Sequence, residues 1–204
     1  MIKIINYGLG NILAFYNLYK SINIDIEIAS TSSELSSASK IILPGVGTFD
    51  QAMIKLNQSG MRDVLDKKVI VEKVPVLGIC VGMQIMLKSS EEGNLNGLSW
   101  VDANVIKFNP LINSRENKIP HMGWNSINPI VNSNLLNDLN SESEFYFLHS
   151  YYCDINDDDL ILATTNYQKN FTSIFRLDNI YGIQCHPEKS HNSGIALLKN
   201  FSKI

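Results

Sequence analysis

The sequence predicts an α/β fold: a mainly parallel, doubly wound sheet with helices on both faces, joined in its second half by antiparallel strands. Three observations lead there. Short β-rich runs alternate with helix-period stretches from Ile2 to Ser89, and such alternation builds βαβ units. Two tight turns, Pro44-Gly45-Val46-Gly47 and Gly78-Ile79-Cys80-Val81-Gly82, each follow a strand candidate directly, at the strand ends where such sheets present ligands. From Trp100 onward, strand-like runs outnumber helical ones.

In chain order, Ile2 to Asn6 reads as the first strand. Asn11 to Ile22 carries Ile12, Phe15, Tyr16 and Tyr19 at helical spacing. Asp25 to Ala29 is a second short strand, and residues 33–39 are a polar connector or a short helix. Lys40 to Leu43 is a third strand. Helical patterns follow at about Phe49 to Leu56 and Gly60 to Val71, then a buried strand at Val76 to Ile79 and a helix over Val81 to Ser89. Trp100 to Phe108, Phe145 to Leu148, Leu160 to Thr164, Phe171 to Arg176 and Ile180 to Gln184 read as β. Asn109 to Asn117 and Asn132 to Glu144 are polar and loop-like, and a closing helix spans about Ser193 to Phe201.

A length of 204 residues suits one compact domain, residues 1–204, with a sizeable core. No internal repeat or linker divides it. Apolar residues make up 45% and charged residues 18%, the balance of a soluble globular protein. The net charge of −3 gives no pull toward nucleic acid or an anionic membrane, and no basic stretch is interleaved with aromatics. No run approaches the roughly 20 apolar residues that span a bilayer. The N-terminus starts as a strand without the features of a signal peptide, so a cytoplasmic location is expected. Cys80, Cys153 and Cys185 form neither a CxxC pair nor an even disulfide set. No metal or cofactor is expected.

Gly78-Ile79-Cys80-Val81-Gly82 is a strand-to-helix elbow with cysteine at the nucleophile position. Such a turn strains the nucleophile's backbone, and the flanking glycines relieve the crowding. The N-terminus of the following helix favours thiolate. The bland alternative is a buried structural cysteine, which the agreement of strand, glycine pair and helix disfavours.

A thiol nucleophile needs a base, and the base needs a third group to set its tautomer. Of the four histidines, His186 stands in Gln184-Cys185-His186-Pro187-Glu188, after an apolar strand. If that end stays extended, residues two apart share a face, and Glu188 reaches back to His186. Cys185 then points away into the core, and Cys153 reads as core too. His149 is a weaker candidate base because no carboxylate sits two positions away, and His191 lies among polar residues. For the oxyanion of an attacked amide, the Val81 N–H and the Pro44-Gly45-Val46-Gly47 loop are the candidate donors. A phosphate-binding loop would be longer and carry Lys-Ser/Thr, whereas Thr48-Phe49 follows here.

The chain resembles the class I (triad) glutamine amidotransferases over nearly its whole length. The resemblance is carried by Asn6-Tyr-Gly-Leu-Gly-Asn11, Leu43-Pro-Gly-Val-Gly-Thr-Phe49, Gly78-Ile-Cys-Val-Gly-Met-Gln84, Pro120-His-Met-Gly-Trp-Asn125, Phe145-Tyr-Phe-Leu-His-Ser-Tyr151 and Gln184-Cys-His-Pro-Glu-Lys-Ser190. Within the class it is similar to glutaminase subunits of histidine biosynthesis that pass ammonia through an internal channel to a (β/α)8 barrel synthase. The resemblance implies Cys80 as nucleophile, His186 as base and Glu188 as its orienter. It implies an oxyanion hole from Gly45, Val46, Gly47 and Val81, and glutamine held by Gln84, Ser150 and Tyr151. Asn11, Tyr146 and Lys189 match positions near the partner interface. A slow isolated chain is expected, with an oxyanion loop completed on docking.

Two departures stand out: Asn6 where the family often has Asp, and Ser99-Trp100-Val101-Asp102-Ala103 after Gly97-Leu98 in place of a Gly-rich stretch. They leave open a paralogous branch that supplies ammonia for amidination in surface-polysaccharide sugar biosynthesis. A stand-alone cysteine hydrolase, such as a peptidase or deglycase, is the competing class. Such enzymes take their third group from elsewhere, so the closeness of His186 and Glu188 argues against it. The presence of all three triad residues argues against a non-catalytic binding protein.

Overall fold

The computed structural model describes residues 1–109 and 118–204. In the first half, β1 (Ile2–Ile5), α1 (Ile12–Ser21), β2 (Ile26–Ala29), α2 (Ser32–Ser36), β3 (Lys40–Gly45), α3 (Phe49–Gln58), α4 (Arg62–Asp66), β4 (Val76–Cys80) and α5 (Val81–Gln84) alternate as expected. The connector at 33–39 is in part a helix. Its start is a capping box in which Thr31 Oγ1 accepts from Glu34 N and Glu34 Oε2 accepts from Thr31 N. The helix expected over Gly60 to Val71 is α4 followed by one π turn at Lys67–Val71.

The second half is β5 (Ser89–Ser90), β6 (Asn104–Lys107), β7 (His121–Ser126), β8 (Asn128–Pro129), β9 (Glu144–His149), β10 (Tyr151–Asp154), β11 (Ile161–Tyr167), β12 (Lys169–Leu177) and β13 (Ile180–Ile183), closed by α6 (His191–Lys203). The loop expected over 109–117 lies, from residue 110 on, outside the described residues.

The main sheet has the order β2-β1-β3-β4-β13-β12-β10-β6-β5. From β2 to β13 all neighbours are parallel, and β12 then turns the sheet antiparallel. The chain moves one way from β1 to β2 and the other way from β3 to β4. Right-handed crossovers therefore put α1 on one face and α2 to α4 on the other. The packing agrees: α1 lies against α6, and α2 against α4. Tyr19 on α1 is fully buried and donates its hydroxyl to Leu198 O on α6 at 3.0 Å. β1, β4 and β13 are buried along their whole length, as parallel strands covered on both faces must be.

Two expectations fail locally. The helix after the elbow stops at Gln84 instead of reaching Ser89, and the strand expected from Trp100 begins only at Asn104. One cause explains both. The segment 97–101 lies against the carbonyls that would have continued the helix: Leu98 N bonds Ile85 O at 2.7 Å, Trp100 N bonds Met86 O at 2.9 Å and Gly97 N bonds Lys88 O at 2.8 Å. At Gly97 a Cβ would lie 2.0 Å from Leu87 O, so only glycine lets the chain pass. The strand β7 was not expected; it pairs antiparallel with β9 in a separate two-stranded sheet, His121 opposite His149 and Trp124 opposite Tyr146.

Candidate active site

Cys80 ends β4 with φ 54° and ψ −113°, a backbone conformation that costs a β-substituted residue about 1–3 kcal/mol. The glycines around it are required by close packing rather than by turn conformation. A Cβ at Gly82 would lie 2.0 Å from Leu43 O, and one at Gly45 would lie 2.3 Å from Gly82 N. β4 is clamped between β3 and β13, with Gly45 opposite Cys80 and Ile183 opposite Ile79. The four-residue α5 offers less dipole than a helix to Ser89 would.

The parallel pairing of β4 with β13 is what assembles the site. Both strands end at the same sheet edge, so the residues just beyond Ile183 come to rest beside Cys80. His186 is extended, its N–H bonds Tyr146 O at 2.8 Å, and a 3-10 turn at Pro187–Lys189 follows. Glu188 therefore returns to His186 through a turn, not along an extended strand as its spacing suggested. His186 Nδ1 donates to Glu188 Oε1 at 2.9 Å, with both side chains buried. Ser190 locks the loop: its hydroxyl donates to His186 O at 2.6 Å and accepts from Tyr146 N at 3.0 Å.

With Nδ1 engaged, Nε2 is the imidazole nitrogen left for the Cys80 sulfur. Burial works against an imidazolium here. Hydrogen bonds and charge from Cys80 and Glu188 outweigh it and carry the His186 pKa up to about 10. The site thus favours the imidazolium form of His186.

Cys80 and His186 face a cleft of about 280 Å³ that is also lined by Val46, Gly47, Val81, Gln84, Ser150 and Tyr151. Of the expected oxyanion residues, Val46, Gly47 and Val81 border the cleft, and Gly47 has φ +90°, a conformation suited to glycine. Gly45 is packed against the backbone of residues 81–82 instead. Gln84 Nε2 donates to Tyr151 O, so its carbonyl oxygen remains for a ligand. Lys189 also borders the cleft and holds its ammonium 5.4 Å from the centre of the Tyr146 ring. Asn11 is exposed at the start of α1, on a loop whose Gly10 touches Pro44.

Sequence reasoning missed several residues. Glu92 puts a carboxylate in the cleft and accepts from Phe49 N at 2.8 Å. Tyr7 is buried behind the site and donates to Pro44 O at 2.6 Å, which steadies the loop before Val46. Gln184 is fully buried with Nε2 3.6 Å from Cys80 Sγ. A polar residue closing an apolar strand was the only signal for it. His149 cannot serve as the base: Nδ1 contacts Tyr151 O, Nε2 contacts His121, and burial together with His121 depresses its pKa to about 3. Cys153 and Cys185 are core residues, and burial pushes both thiols upward in pKa. His191 is exposed, but its ring stacks on Trp124 at 5.1 Å.

A strained cysteine at a strand end, an imidazole and a buried carboxylate form the constellation of a thiol-dependent amide hydrolase. The chain belongs to the class-I glutamine amidotransferases: that family's model matches residues 4–204. Among its curated relatives, the imidazole glycerol phosphate synthase subunit HisH of Bdellovibrio bacteriovorus is 52% identical over 204 residues, 100% of both chains. The protein of the same description from Leptospira interrogans is 48% identical, again over 100% of both chains. Among solved structures, a protein from Thermoplasma acidophilum described as a GMP synthase subunit matches 99% of this chain and 92% of its own, at 22% identity and a TM-score of 0.73. PurLQS from Thermotoga maritima also gives a TM-score of 0.73, at 15% identity over 98% of this chain and 96% of that one.

Proposed function

We propose that this chain is a glutaminase subunit that hydrolyses glutamine to glutamate and ammonia and passes the ammonia to a separate (β/α)8 barrel synthase forming imidazole glycerol phosphate in histidine biosynthesis. The observation that carries the chemistry is that His186 shares one cleft with Cys80 and is paired from behind with the buried Glu188 carboxylate. The full-length relatives described as imidazole glycerol phosphate synthase subunits support the pathway.

In this reading the Cys80 thiolate attacks the side-chain carbonyl carbon of glutamine. The carbonyl oxygen takes up negative charge, which backbone N–H groups of the Val46-Gly47 loop and Val81 stabilise. His186 Nε2 gives its proton to the leaving nitrogen, the C–N bond breaks and ammonia departs, leaving a thioester. His186 then takes a proton from water as the hydroxyl attacks the thioester, and glutamate and thiolate are released. Glu188 keeps the proton on Nδ1, so that Nε2 is the exchanging nitrogen. Gln84, Ser150 and Tyr151 hold the amino acid, and Glu92 supplies a negative charge for its α-ammonium group.

Ammonia must reach its acceptor before bulk water protonates it. Beside the cleft the outer face of β7 and β9 leaves Met122 61%, Trp124 45% and Leu148 39% exposed, with Tyr146 between them. Contiguous exposed apolar residues mark a contact surface. A partner seated there, against Lys189 and Asn11, would cover the mouth of the cleft.

The test is Cys80→Ala. With the partner synthase it should lose synthesis driven by glutamine and keep synthesis driven by ammonium salts. Survival of both activities would refute the nucleophile, and an acceptor other than a histidine precursor would move the chain to the surface-sugar branch.

A further inference from the structure

A single backbone carbonyl sets the direction of a hydrogen-bonded chain that ends on the Cys80 sulfur. A carbonyl only accepts. Tyr151 O receives His149 Nδ1 at 2.8 Å and Gln84 Nε2 at 3.1 Å. His149 must therefore carry its proton on Nδ1, and its Nε2 accepts from His121 Nδ1 at 3.0 Å. That leaves His121 Nε2 to accept from Asn125 Nδ2 at 3.2 Å. On the other side, Gln84 Nε2 donates to Gln184 Oε1 at 3.0 Å, and Gln184 Nε2 is turned onto Cys80 Sγ at 3.6 Å. No tautomer or amide orientation in the chain is left free.

The burial of this chain calls for a reason. Gln184 is 0% exposed and Gln84 3%, and an amide buried without partners costs about 1–3 kcal/mol. An apolar side chain at 184 would continue β13 into the core without that demand. What an amide offers there and a leucine does not is a donor to sulfur. A thiol nucleophile reacts as its thiolate, so in that role the sulfur is negative as it attacks and again when the thioester is cleaved.

We propose that Gln184 is a further catalytic residue that donates its amide N–H to the Cys80 thiolate, and that Gln84, the Tyr151 carbonyl and His149 hold that amide in its donating orientation. This rests on Cys80 being the nucleophile. His149 and Gln84 act here through Gln184 and are positioning residues in this respect.

The experiment uses the full chain and two readouts: alkylation of Cys80 by iodoacetamide, located by peptide mass spectrometry, and kcat and KM for glutamine hydrolysis. Gln184→Glu keeps the size and the acceptor for Gln84 but turns an acceptor onto the sulfur. Alkylation and kcat should each fall about tenfold or more, the worth of one hydrogen bond to a charged group, while KM changes little. Gln184→Leu should show the same loss without the charge. His149→Asn, whose amide can still donate to Tyr151 O, should retain most of the rate, and His149→Leu should not. Thermal unfolding identifies folded variants, and the histidine pair carries the test if both Gln184 variants fail to fold. Wild-type rates in folded Gln184 variants, or equal losses in His149→Asn and His149→Leu, overturn the proposal. An unreactive Cys80 in the unaltered chain, or glutaminase activity surviving in Cys80→Ala, instead removes the nucleophile reading on which it rests.

Discussion

Replacing Glu188 by glutamine tests the base directly. The carboxylate is buried, accepts from His186 Nδ1 at 2.9 Å, and with Cys80 lifts the imidazole pKa from 6.5 to about 10. At about 1.4 kcal/mol per unit, the net stabilisation of the imidazolium, after burial has opposed it, is on the order of 5 kcal/mol, and the substitution removes the carboxylate's share. Glutamine is isosteric, but it can turn an N–H toward Nδ1 and force the proton onto Nε2. In that tautomer His186 can no longer take a proton from the thiol. The expected outcome is a fall in kcat of about 10³-fold or more with KM little changed, as for tautomer-reversing changes in other triads. The assay is steady-state glutamate release by the chain with its synthase, beside ammonium-dependent synthesis as a control for the synthase and thermal unfolding of the variant as a control for folding. Retention of more than about a tenth of kcat in a folded variant would refute the role given to Glu188.

Other consequences follow from the same geometry. Stability should peak near neutral pH. His186, raised in pKa, contributes stability that is complete below about pH 6.5 and is lost as pH rises toward 10. His121 and His149, lowered to about 4 and about 3 chiefly by burial, instead remove stability as pH falls below 6.5, because the unfolded chain then binds the extra protons. Thermal unfolding from pH 4 to pH 10 checks both limbs, and a monotonic trend would contradict the assignment. Gly82→Ala should destabilise by about 3 kcal/mol or more, since its Cβ would meet a backbone oxygen at 2.0 Å that cannot yield; chemical denaturation measures it. Trp124→Ala should weaken binding of the partner synthase about thirtyfold, the loss typical of an exposed aromatic anchor, as read by calorimetry. An unchanged affinity would move the contact surface elsewhere.

The local features of this protein were readable from its residues because their physics is local. The elbow at 78–82 announces itself through glycines that sterics demand within a few positions of Cys80. His186 and Glu188 stand two apart, so their pairing needed no knowledge of the fold, although a turn and not a strand brings them together. The alternation of the first half pointed to the parallel sheet because each βαβ unit is self-contained. β7 escaped notice because its pattern is inverted: Met122 and Trp124 face outward, while His121 lies buried against His149. The truncation of α5 depends on a segment more than a helix length away that takes its carbonyls.

Only the tertiary structure decided which distant groups became neighbours. Cys80 meets the Gln184–Glu188 segment because β4 and β13 pair in parallel, a contact between residues about 104 apart in the chain. Sequence spacing carries no information about that register; sheet pairing and core burial set it. The buried run from His121 to Gln184 depends on the same assembly, since its polar groups come from β7, β9, β10, α5 and the segment just after β13. The residue types therefore determined the chemistry available to this protein. The fold determined which of those groups share a cleft and which way each proton points.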